Sequence, residues 1–235
     1  MTPLTAFDHR GISRSNDSLL PLRFLTHSFN ALNVATNLGW LPGARYSNLR
    51  DVRRFDRLGF LDINWRNYSF SAHVAAAKAT RPMLTVARDI EDISDLDEVL
   101  CQARELLRHS DDVVIVPKDP RFGEGLEERI PRDFILGFSV PTRYGGTTLC
   151  PTLFRRPVHL LGGRPDVQRR LAATLSVHSI DCNRFTLDAA FGDYFDGVRF
   201  KPHPIGGYRE CLTDSIHNIN RIWLGYSGAN QGKLT

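Results

Sequence analysis

Short apolar runs recur along this chain, and most are followed by a segment whose apolar residues fall at helical spacing. Leu22 to Thr26 is the first run. After it, Phe29 to Leu38 places Ala31, Val34, Ala35 and Leu38 on one face and stops at Gly39. Phe60 to Ile63 precedes an alanine-rich helix over Ser71 to Thr80. Met83 to Ala87 precedes a helix, capped by Ser94, with Leu96, Val99, Leu100, Ala103, Leu106 and Leu107 inward. Val113 to Val116 is a β-branched run of the kind found in buried parallel strands. A short helix at Gly125 to Ile130 leads to a strand at Phe134 to Phe138.

Pro157 to Arg184 reads as a complete β-α-β unit. Val158 to Leu161 ends in Gly162-Gly163, and Pro165 opens a helix carrying Val167, Leu171, Ala172 and Leu175. Val177 to Ile180 then delivers Asp181, Asn183 and Arg184. Leu41-Pro42-Gly43-Ala44-Arg45-Tyr46 has turn chemistry. Thr186 to Phe195 reads as a helix, Val198 to Phe200 as an eighth strand, and Tyr208 to Trp223 as a last helix with Cys211, Leu212, Ile216, Ile219 and Trp223 inward. Strand-helix alternation implies a parallel sheet with helices outside. The expected fold is α/β: a small (β/α)8 TIM-type barrel, with imperfect closure allowed for, over a doubly wound open sheet. Residues 1–21 are polar and aperiodic and read as an extended arm, with residues 22–235 as one barrel domain.

A chain of 235 residues, 42% hydrophobic and 24% charged, can bury one sizeable core. No apolar run approaches membrane-spanning length, and the N-terminus has no signal-peptide core, so a cytoplasmic protein without a membrane partner is expected. The net charge of +4 permits a polyanionic partner without requiring one. The four cysteines have no close pairing, so reduced thiols are expected, with no metal site and no cofactor.

In a barrel the strand exits converge on one rim, where active sites lie. Here those exits carry His27, Asp62, Asp89 with Arg88, Lys118 with Asp119, Ser139 with Arg143, Gly162-Gly163, and Asp181 with Asn183. The opposite turns are plain. Some acids at such positions only cap helices, and Asp119 and Asp92 have that character. A di-glycine before a helix also lets backbone amides approach an anion.

The run Phe134 to Thr148 (FILGFSVPTRYGGTT), then VHLLGG with Pro165 and Gln168, then a strand ending in Asp181-Cys182-Asn183, resembles a family of uncharacterised phage and archaeal proteins. Those look like distant relatives of the tRNA-guanine transglycosylases and of the phage enzymes that insert deazaguanines into DNA. The resemblance implies a pentosyltransferase of the base-exchange type, with a nucleic acid and a free deazapurine base as partners. By position, Asp181 would be the nucleophile, Asp62 the proton-transfer acid and Asp89 the base-recognition acid, with Gly162 and Gly163 as backbone contacts. Lys118-Asp119 stands where that family often has Gln-Gly, and Ile63-Asn64-Trp65 where it has glycines. Its zinc-binding cysteine cluster is missing, which points to DNA rather than tRNA. Arg143, Arg164 and Arg184 would meet phosphates, Asn183 and Arg184 would orient Asp181, and Tyr144 or Trp65 would stack on a base.

Two other readings stay open. One is a small-molecule barrel enzyme, a lyase or phosphosugar isomerase, with Gly162-Gly163 holding phosphate and Lys118 as base or Schiff-base residue. The other is a non-catalytic phage binding or structural protein whose rim acids pair with arginines.

Overall fold

The computed structural model describes residues 20–143 and 145–226. The expected arm therefore lies almost wholly outside the described residues. Eight parallel strands form a closed barrel in chain order. They are β1 (Leu22–Thr26), β2 (Leu41–Arg45), β3 (Phe60–Asp62), β4 (Leu84–Val86), β5 (Asp112–Ile115), β6 (Ile135–Ser139), β7 (Val158–Leu161) and β8 (Val177–Asp181). The intervening helices are α1 (Phe29–Asn37), α2 (Phe70–Thr80), α3 (Leu96–Leu107), α4 (Leu126–Arg129) and α5 (Pro165–Leu171); α6 (Arg184–Ala190) follows the last barrel strand. Closure is complete: β1 pairs with β8 through Leu22–Ser179 and Phe24–Asp181.

The eighth barrel strand is not the one the sequence suggested. Leu41–Arg45, with the chemistry of a turn, is β2, pairing with β1 from Phe24–Leu41 and with β3 from Gly43–Phe60. Pro42 is in register with Leu25 of β1, and its carbonyl accepts Gly59 N at 2.8 Å, so the donor it lacks faces the β3 side before that pairing begins at Gly43. At Gly43 a Cβ would stand 2.5 Å from the Thr26 hydroxyl, so the glycine is what lets β1 approach. The residues expected as the eighth strand instead make the turn and the first residue of the second strand in an antiparallel hairpin outside the barrel, β9 (Asp193–Phe195) with β10 (Phe200–Pro202). It cuts short the helix expected to reach Phe195. The cap before α3 also differs: Asp92, not Ser94, accepts the amide, at 2.8 Å from Ser94 N.

The barrel interior is filled by side chains alternating along the strands. Phe24 and Phe60 stack with centroids 5.5 Å apart, and the fully buried His159 packs on Phe60 at 5.1 Å. The last helix, α7 (Tyr208–Trp223), packs on α1, α6 and β9 through Cys211, Leu212, Ile216, Ile219 and Trp223, all buried. Trp40, leading into β2, donates to Asn220 at 2.9 Å. The Tyr226 hydroxyl accepts from Val177 N at 2.6 Å, tying the end of the described chain to the start of β8. All four cysteines are free thiols, and burial pushes Cys182 up to about 12. Among the described residues, no helix is long and apolar enough to cross a membrane.

Candidate active site

Parallel strands of a barrel all end on one face, so the strand exits must meet there. They open into a cavity of about 750 Å³ lined by Asp62, Asp89, Lys118, Gly162, Gly163, Asp181 and Asn183, among others. Seven residues expected at the site are thus brought together. Three are not. Arg184 turns to its own helix, where its guanidinium grips Asp188 at 2.7 and 2.8 Å. Arg143 is exposed on the β6–β7 loop and does not line the cavity. Tyr144 lies outside the described residues. Arg164 is likewise committed, to Asp166 at 2.9 Å.

Asp181 sits at the end of β8, 8% exposed. One carboxylate oxygen accepts the Gly162 amide at 2.9 Å and faces His159 Nε2 at 3.3 Å. Nδ1 of His159 lies 2.8 Å from the Ser179 hydroxyl. The tautomer that satisfies all three groups carries its proton on Nε2, donating to Asp181 and accepting from Ser179. The di-glycine therefore does present an amide to an anion, but the anion is the protein's own. The Gly162 amide is thus taken up by Asp181 and not open to a phosphate. Gln168, fully buried on α5, donates to the carbonyls of Gly162 and Asp181, both at 2.8 Å, and locks the ends of β7 and β8 together.

Asp62 ends β3 with its side chain 24% exposed. Burial and then the charge of Asp181 push its carboxyl up from 3.8 to about 7. The Ile63 amide, 2.8 Å away, and Arg45, 3.7 Å away through Nε, oppose the shift without cancelling it. The cavity thus holds one carboxyl near the midpoint of its titration at neutral pH, beside a second that is held as a hydrogen-bond acceptor.

Lys118 bridges Asp89 at 2.6 Å and Glu91 at 2.8 Å. Burial works against its charge, but the two carboxylates outweigh it and hold the ammonium above its usual range. Burial also raises Asp89, and Lys118 offsets only part of this. Asp119 is a cap, accepting Ile93 N at 2.7 Å and Arg121 N at 2.8 Å. Arg121 holds its carboxyl well below the usual range.

Several wall residues escaped sequence reasoning. Arg45 was hidden by the turn-like composition of β2. His159, buried behind the wall, sits within an apolar run, although its alternation with Leu161, and that of Ser179 with Asp181, is a legible period-two signal. Glu91, Asp95 and Tyr68 lie past strand ends, where only the loop path decides orientation. The charged lining is acidic: Asp62, Asp89, Glu91, Asp95 and Asp181 against Arg45, Arg88 and Lys118. Among the described residues, no three histidine, cysteine or acidic side chains are grouped to hold a metal.

Among solved structures, the chain is similar to the YdjI aldolase from Escherichia coli K12, with a TM-score of 0.53 and 10% identity over 90% of this chain and 94% of that one. At that identity the likeness concerns the barrel fold. No curated protein matches the chain significantly. The sequence profile of a family of unknown function, DUF6610, matches residues 35–224, from within α1 to just past α7, and the chain belongs to that family.

Proposed function

We propose that this protein is a barrel enzyme acting on a small polar substrate, making or breaking a bond at an anomeric carbon through a pair of carboxylates. The observation that carries this reading is Asp62, raised to about 7 beside the hydrogen-bonded Asp181. A carboxyl raised toward neutrality beside a second that accepts hydrogen bonds is the arrangement that glycosyl transfer needs. Asp181 attacks the anomeric carbon or stabilises its positive charge, and Asp62 protonates the departing group and then takes a proton from the incoming one. An acidic lining favours a transition state that develops positive charge.

The same charge balance favours a compact substrate over a nucleic-acid strand, because Arg164 and Arg184 are spent on neighbouring acids. Base exchange with a free deazapurine, implied by the resemblance, is the narrower form of this proposal. A Schiff-base lyase is less well supported: an amine nucleophile needs a depressed pKa, and Lys118 is held above its usual range.

The test is incubation with nucleosides and aryl glycosides, with and without free purine and deazapurine bases. Products are read by mass spectrometry, together with the intact mass of the protein. A glycosyl adduct on Asp181, absent in Asp181→Asn, is expected. Turnover retained by Asp181→Asn, or borohydride trapping of substrate on Lys118, would overturn the proposal.

A further inference from the structure

Beside the main cavity, a second cavity of about 430 Å³ opens between the ends of β1 and β2. His27, Asn48, Arg50 and Asp51 line it, and it shares Arg45 and Asn183 with the main cavity. The two differ in charge. Against the five acids of the main cavity, the side cavity has Arg45 and Arg50 facing one acid, Asp51. That acid is already committed, to Arg50 at 3.1 Å and to the Phe29 amide at 3.3 Å. Arg45 stands on the boundary with its side chain 56% exposed, and its Nε is 3.7 Å from Asp62, a long contact for an ion pair. An oxyanion entering from the β1–β2 side meets that guanidinium without displacing a buried group.

We propose that the side cavity is an anion subsite that takes a phosphate monoester group of the substrate, while its anomeric centre lies in the main cavity. The identity of the substrate's other half rests on the glycosyl-transfer reading above; the anion subsite itself does not. A monoester dianion matches the exposed Arg45 guanidinium, with Arg50 beside it paired to Asp51, and the adjoining cavities separate the phosphate from the reacting carbon. The volume also exceeds what a carboxylate alone needs. Substrates then belong to the class of nucleoside or pentose phosphates.

Arg45 makes the two cavities interdependent. It lowers the Asp62 pKa, while Asp181 and Asp89 raise it. A phosphate that engages Arg45 weakens that lowering influence and keeps Asp62 protonated as an acid. The general acid is therefore best poised when the anionic end of the substrate is seated.

Titration with inorganic phosphate, followed by calorimetry and by the ring-proton shifts of His27, tests this without any turnover. His27 is held below its usual range by burial, opposed by Asp51, and a dianion among Arg45, Arg50 and Asp51 should raise it. Saturable binding, on the order of millimolar, is expected with the wild-type chain. It should weaken at least tenfold in Arg45→Gln and about threefold in Arg50→Gln, and stay within twofold in Lys118→Gln, which removes a cation from the main cavity only. The Arg50 variant carries the test if the Arg45 variant misfolds. Absence of saturation, or equal weakening in the Arg45 and Lys118 variants, overturns the subsite. Phosphate binding with no Asp181 adduct from nucleoside or pentose phosphates overturns the glycosyl-transfer reading and leaves the subsite standing.

Discussion

Replacing Asp62 by asparagine should make stability less sensitive to pH, and the size of the effect follows from the shift in its carboxyl. The folded pKa is about 7 and the ordinary value 3.8. A carboxyl raised on folding favours the native state only while protonated. Its unfolded form begins to lose the proton near 4, and from there stability falls as pH rises until the folded pKa is passed. With 1.36 kcal/mol per unit, the full penalty is ~4 kcal/mol above pH 8, of which ~1.5 kcal/mol is already present at pH 5. Asparagine keeps the oxygen that accepts the Ile63 amide and removes the charge. Urea unfolding of both proteins at pH 5 and pH 8 should therefore show the variant gaining ~2–3 kcal/mol on wild type between the two. A difference that stays constant within ~0.5 kcal/mol would mean that Asp62 titrates normally, and it would lose its role as general acid.

Lys118→Ala should destabilise by ~1–3 kcal/mol, because Asp89 and Glu91 lose a shared cation in a partly buried site; unchanged denaturation would mean the bridge contributes nothing. The two glycines after β7 should separate cleanly in thermal melts. Gly163 has φ +83°, and a Cβ there would stand 2.4 Å from a Val140 methyl, so Gly163→Ala should cost ~3 kcal/mol or more. Gly162 has φ +62° with nothing within 4 Å, so Gly162→Ala should cost only ~1–2 kcal/mol. Equal losses at the two positions would contradict the packing of Val140 on the loop. Asp181→Asn should fold, since asparagine can still accept the Gly162 amide, and should lose at least ~10³-fold in turnover; a nearly active variant would return Asp181 to a structural role.

The sequence by itself determined the architecture and most of the rim. Apolar runs alternating with helical stripes imply parallel strands, and parallel strands put Asp62, Asp89, Lys118, Gly162 and Asp181 at the same end. No side-chain geometry is needed for that inference, only strand direction. It failed at β2, because Pro42 and Gly43 look like punctuation until β1 is seen to lie against them. Tertiary structure alone decided which charges neutralise one another. Arg184 lies three residues from Asp181 in sequence yet grips Asp188, while Asp181 takes its partners from β7 and the glycine that follows it, 22 and 19 residues away. Reach between neighbouring strands sets those pairings, and the pattern of residue types along one strand carries no record of it. The raised pKa of Asp62 has the same origin, since burial and the field of Asp181 both come from how the barrel closes.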